Sequence, residues 1–177
     1  MDAIGFAVVA WLIADFGSGV VHWLEDRYGD PDWIWPIGEH VVRPNIEHHQ
    51  RPSLLTRSRY LERNATSILA AAPFIIAAAW FECWAIACGL AWLSQGNEVH
   101  SWAHQKCSRP IRALQAVGIL QSPRAHALHH RTPFDSNFCA CTDWLNPILQ
   151  AVGFWRRLER VVELTTGIKP RPERSAA

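Results

Sequence analysis

The sequence has no lysine or arginine before Arg27 and none between Asn64 and Gln105, although the chain carries 17 basic residues. They are offset by 16 acidic residues to a formal net charge of +1, so the totals argue against a nucleic-acid-binding polycation or an acidic tail. No nucleic-acid partner is expected. A cysteine framework is missing as well: the five cysteines are odd in number, and Cys139-x-Cys141 is not a C-x-x-C pair. Reduced thiols facing the cytosol are expected. Met1 to Ala14 has Asp2 where a secretory leader has a basic segment, and it lacks a cleavage site, so we read it as mature structure. There is no internal repeat and no flavin or cytochrome domain. At 177 residues the expectation is one membrane-embedded domain, 1–177, with 167–177 as a flexible tail.

What is present is apolar and aromatic. Residues Ile4 to Val21 are interrupted only by Asp15 and Ser18, long enough for a membrane span. A second apolar block, Ala65 to Leu93, has Glu82 as its only charge. As one helix it would be about 43 Å long against a hydrocarbon core of about 30 Å. Two spans turning around Glu82 fit better, with Trp80 and Trp84 at the far interface. All basic residues then fall on one side of the membrane, the cytoplasmic one. The expected fold is an all-α membrane protein of about three transmembrane helices under a cytosolic, histidine-rich helical cap. A soluble helical protein with two core helices is the alternative. Ile111 to Leu120 and Trp144 to Trp155 are too short to span and read as interfacial or cap-packing helices. Arg156 to Glu163 has a charged helical face, and Trp11, Trp92 and Trp102 read as packing or interface anchors.

Nine histidines fall in groups: His22; His40; His48 and His49; His100 and His104; His126, His129 and His130. On a helix, residues three or four apart share a face, so His100 with His104, and His126 with His129 and His130, can aim at a common point. His22 and Asp26 have the same spacing. Ligands must meet on one side of a membrane, which demands an even number of crossings between His49 and His100, and the hairpin at Glu82 supplies two. One structural zinc needs four ligands and usually takes cysteine, whereas eight imidazoles suit two oxygen-activating irons. His40 is left out as an ordinary histidine. Asp15, a carboxylate inside an apolar span, is expected to be paired, and orienting a ligand histidine is the role we assign it.

Four segments carry a family resemblance: ADFGSGVVHWLEDRYGD at 14–30, RPNIEHHQRPSLLTRSRYLERN at 43–64, NEVHSWAHQ at 97–105, and SPRAHALHHRTPFDSNFCACTDWLN at 122–146. From about Ala14 to Leu149 the chain resembles the lipid desaturases of the Kua/CarF type, which include plasmanylethanolamine desaturase and the plastid desaturase acting on phosphatidylglycerol. The resemblance implies metal ligation by His22, His48, His49, His100, His104, His126, His129 and His130. Asp26, Asn97 and Asp15 are candidates for a further ligand or a supporting hydrogen bond. It also implies two iron ions, O₂ as co-substrate, a membrane phospholipid substrate, and an external cytochrome b5-like or ferredoxin-like electron donor. The implied location is a bacterial inner membrane with the catalytic face cytoplasmic. Arg51-Pro52 and Phe134 depart from the plasmalogen-forming branch, which has Asp-Pro and His there. Two substrates stay open: the 1-O-alkyl chain of an ether phospholipid, or an acyl chain near its carboxyl end. A lipid hydroxylase using the same metals, and a non-catalytic membrane haem or metal carrier, are the competing functions.

Overall fold

A computed structural model describes residues 2–171, which are helical and irregular, with no strand among them. The elements in chain order are α1 (Ala3–Arg27), α2 (Arg43–Gln50) entered through a π-turn at Gly38–Val42, α3 (Ser53–Arg57), α4 (Tyr60–Trp80), α5 (Trp84–Leu93), α6 (Gly96–Ala103), α7 (Arg109–Ala116), α8 (Pro123–His129), α9 (Leu145–Ala151) and α10 (Phe154–Thr166). The expected tail is described only as far as Arg171, whose guanidinium donates to the Glu25 and Asp26 carbonyls, and 172–177 lie outside the described residues.

Asp2 caps α1 by accepting from the Gly5 amide at 2.7 Å, satisfying one of the free amides of the first turn. Among the described residues, α1 is the one helix long and apolar enough to cross a membrane; α5 has ten residues. Its buried stripe is Ala10, Ala14, Asp15, Ser18, Gly19, His22 and Trp23, at helical spacing. The opposite face exposes Val9, Phe16 and Leu24.

The expected break in the second apolar block is present. α4 ends at Trp80, Glu82 takes a left-handed conformation at φ 56°, and α5 starts at Trp84 and runs back. α5 packs against both α1 and α4. Its contact with α1 is close because Gly89 has no side chain: a Cβ there would stand 2.9 Å from the Ala10 carbonyl. The Trp11 and Trp92 rings stack at 4.3 Å across the same seam, and the Trp11 indole donates to the Ile119 carbonyl at 2.8 Å.

The short helices close over one end of this assembly. Trp23, Phe138, Cys139 and Trp155 form their core, and Arg27 pairs with Glu159 of α10 at 2.6 Å. Between α8 and α9 the chain runs through the interior without regular structure, and Phe138, Cys139 and Cys141 are fully buried. Buried backbone needs partners. Side chains supply them: the Ala140 amide donates to Ser18 Oγ, the Cys141 and Thr142 amides to Asp15 Oδ1, and the Cys139 amide to Asn146.

Candidate metal centre

Four helices supply the donors: α1 carries His22 and Asp26, α2 carries His48 and His49, α6 carries His100 with His104 just after its end, and α8 carries His126 and His129 with His130 just after. They form two groups. His48, His100, His104, His126 and His130 make one; His22, Asp26, His49 and His129 make the other. Within each group the candidate ligand atoms lie within 4.8 Å of one another. Adjacent helical residues point about 100° apart, so the His48-His49 pair serves both groups at once. His126 and His130, four apart, share the larger group, while His129 turns to the smaller one.

Backbone carbonyls hold several rings by one nitrogen. Nδ1 of His22 lies 3.1 Å from the Phe138 carbonyl, that of His48 2.6 Å from Asn45, and that of His129 2.9 Å from Ser136. With the proton on Nδ1, Nε2 is left with its lone pair, the arrangement seen around ligating imidazoles. The buried Nε2 atoms of His22, His48 and His100 have no hydrogen-bond partner. Elsewhere Nε2 faces Nε2: His126 lies 2.8 Å from His104 and 2.9 Å from His130. Three such atoms cannot satisfy one another by hydrogen bonds, and a shared cation satisfies them all.

The charge state agrees with ligation. Burial, followed by the neighbouring imidazoles, holds His48, His100 and His126 well below the ordinary imidazole range. The same causes push His104 down to about 4 and His130 to about 2. Neutral imidazole is the form a metal binds. The smaller group adds a negative charge: Asp26 oxygens lie 3.1 Å from His49 Nε2, 3.2 Å from His129 Nε2 and 3.5 Å from His22 Nε2. Asn45 also donates to Asp26 at 2.7 Å. Neither group includes a cysteine, which separates both from the usual structural zinc site.

Three of the residues singled out from the sequence stand outside both groups. His40 packs near Trp35. Asn97 donates to the Arg63 carbonyl and to Ser67 Oγ, tying α6 to α4. Asp15 touches no histidine; it accepts from the Cys141 and Thr142 amides and the Thr142 hydroxyl. By fixing that segment, which begins three residues beyond Phe138, it supports the stretch whose Phe138 carbonyl His22 uses. Asn45 and Asn146 went unnoticed in the sequence, and Ser18 was read only as an interruption of the first apolar run. For Asn45 a signal existed, since it stands three residues before His48 on one helix face.

A cleft of about 790 Å³ opens beside the donors. His22 of the smaller group and His48 and His100 of the larger one reach its wall. Val21, Ala70, Ala71, Phe74, Leu90 and Leu93 give it an apolar stretch, and Glu25, Glu47, Glu62, Arg63 and Asn97 also line it.

A helical scaffold with paired histidine-rich donor groups beside an apolar cleft has the features of a metal-dependent enzyme acting on a hydrocarbon chain. The chain belongs to the lipid desaturase family, whose domain model matches residues 11–173. It is 32% identical to mouse plasmanylethanolamine desaturase 1, over 94% of this chain and 67% of that protein. To plasmanylethanolamine desaturase of Myxococcus xanthus it is 30% identical, over 94% of this chain and 62% of the relative. To chloroplastic fatty acid desaturase 4 of Arabidopsis thaliana it is 32% identical, over 91% and 52%. The chain thus spans from about half to about two thirds of the length of these relatives. No solved structure matches it.

Proposed function

We propose that the chain is a single-domain membrane desaturase that holds two iron ions and uses O₂ to introduce a double bond into a glycerophospholipid chain. The observation that carries this reading is the pairing of the two donor groups with one apolar cleft whose wall includes histidines from both. In this reading His48, His100, His104, His126 and His130 hold one ion, and His22, His49, His129 and Asp26 hold the other. Bound iron supplies, from O₂, the oxidant that an unactivated C–H bond requires and that no side chain can provide. The residues do the rest. Backbone-anchored rings keep the ligands oriented, and the apolar wall lays a methylene pair against the donors while excluding water.

The balance is one CH₂–CH₂ unit, O₂, two electrons and two protons giving one CH=CH unit and two waters. The electrons come from an external carrier, cytochrome b5-like or ferredoxin-like. The substrate is either the 1-O-alkyl chain of an ether phospholipid, giving a vinyl ether, or an acyl chain near its carboxyl end. The similarity to plasmanylethanolamine desaturases supports the first, and that to chloroplastic fatty acid desaturase 4 supports desaturation of an acyl chain.

The membrane reading has three spans, the donors at the cytoplasmic face, and a bacterial inner membrane as the location. The outer surface supports it, because large apolar side chains cover α4 and the turn after it: Leu69 is 74% exposed, Trp80 82% and Phe81 74%. Contiguous apolar surface of this kind needs a lipid or protein cover. Trp33, Ile34 and Trp35 are also exposed, just beyond α1 on the donor side, where indole rings suit the membrane interface.

The test compares lipids from cells with and without the gene, together with iron analysis of the purified protein. A product lighter by two hydrogens, with about two irons per chain, is the expected result. A product heavier by one oxygen makes the protein a hydroxylase, and an unchanged lipid profile removes the reading.

A further inference from the structure

A second groove, sharing no lining residue with the lipid cleft, lies against the chain segments that flank two donors of the five-histidine group. The segment leaving His104, Gln105 to Cys107, and the segment approaching His126, Ser122 to Arg124, wall a surface groove of about 820 Å³ together with α7. His104 and His126 both belong to the five-histidine group, and their Nε2 atoms are 2.8 Å apart. One residue separates His104 from Lys106, and His126 is two residues from Arg124.

The groove lining is cationic, with Asp143 behind it accepting from the Ser122 amide. Lys106, Arg112 and Arg124 line it, and no acid does. All three side chains belong to exposed residues, and the ion pairs among the described residues engage other groups. Arg109, on the same helix as Arg112, is exposed too. The lipid cleft, by contrast, reaches His22, His48 and His100 and shares no lining residue with the groove.

We infer that the groove of Lys106, Arg112 and Arg124 is the docking surface for an acidic one-electron carrier protein, which delivers electrons to the five-histidine group through His104 and His126. This rests on the desaturase reading above. Each double bond consumes two electrons with one O₂ and two protons, so two reduced carriers dock in turn and leave oxidised. A lining with three exposed cations and no acid suits an acidic partner that must bind quickly and leave quickly, because it steers encounter more than it adds affinity. Separate faces let a carrier come and go while the lipid chain stays in its cleft.

The experiment uses the full-length protein in bilayer nanodiscs of neutral lipid, driven either by an acidic ferredoxin with its reductase or by dithionite-reduced methyl viologen. The variant Lys106→Glu/Arg112→Glu/Arg124→Glu raises the KM for ferredoxin by roughly tenfold or more at low salt. Its viologen-driven rate stays within about twofold of wild type, as does the ferredoxin KM of the control Arg157→Glu/Arg160→Glu on the exposed face of α10. In wild type the ferredoxin KM rises between about 0.05 and about 0.3 M salt while the viologen rate is flat, which tests the inference even if the triple variant fails to fold. An unchanged ferredoxin KM alongside intact viologen turnover overturns the docking surface and leaves the desaturase reading standing. Equal loss with both reductants, restored by adding anionic lipid, makes the groove a lipid site and overturns carrier docking. Wild type that desaturates with neither reductant overturns the desaturase reading and this inference with it.

Discussion

The two donor groups share helices but not charge. Five imidazoles form one, and three imidazoles with the Asp26 carboxylate form the other. A cation among neutral ligands keeps its full charge, whereas one beside a carboxylate is partly neutralised and its oxidised form stabilised. In the proposed di-iron reading, an ion held by the five-histidine group would be the easier one to reduce, and two of its donors, His104 and His126, adjoin segments that wall the basic groove. Each group draws on three helices, with α2 and α8 common to both, and the Asp26 carboxylate gives the smaller group a charge that the larger one lacks.

The largest expected effect treats the groups as a unit. His100→Ala in one group or His22→Ala in the other each lowers product formation by about a thousandfold or more, and the double variant is scarcely worse. Iron analysis shows each single variant retaining about one of two ions. A single variant with near-normal lipid output breaks the pairing.

Asp26→Asn removes the charge difference while keeping the shape. A loss of about 10- to 100-fold in iron affinity or activity is expected, confined to the smaller group. Equal loss of both ions by metal titration would show that Asp26 supports the whole assembly instead.

Smaller effects come from the support around the donors. Asp15→Asn weakens the hold on the 141–142 amides and the Thr142 hydroxyl, costing about 1–3 kcal/mol in thermal unfolding. The iron content of the folded fraction changes little, since Asp15 touches no donor; a selective loss of the ion at His22 instead makes the Phe138 carbonyl the weak point. The mildest test is pH. In iron-free protein His104 and His130 lie at about 4 and about 2 when folded, against 6.5 for a free imidazole, so the unfolded chain takes up protons first. Stability is full above pH 6.5 and declines as pH falls toward 4. A flat Tm over that range shows that solvent already reaches the five-histidine group.

Much of this was legible in the residues. Spacing paired His100 with His104, His126 with His129 and His130, and His22 with Asp26, whereas bringing all eight histidines to one face took the count of membrane crossings. Apolar length and the lone Glu82 located the turn between α4 and α5. Asp15 stood out as costly where it is, but its partner was sought among histidines. That partner is an irregular segment some 126 residues away, and no local pattern marks a loop that will be buried.

The sequence by itself determined the donor inventory, because helical spacing puts imidazoles three or four apart on one face wherever the helix ends up. Only the tertiary structure decided how the inventory divides. His48 parts from His49, and His129 from His126 and His130, because membership depends on the angles at which α1, α2, α6 and α8 meet. Those angles are set by contacts between distant segments, such as Gly89 against Ala10 and Asp15 against Thr142, that no spacing rule contains.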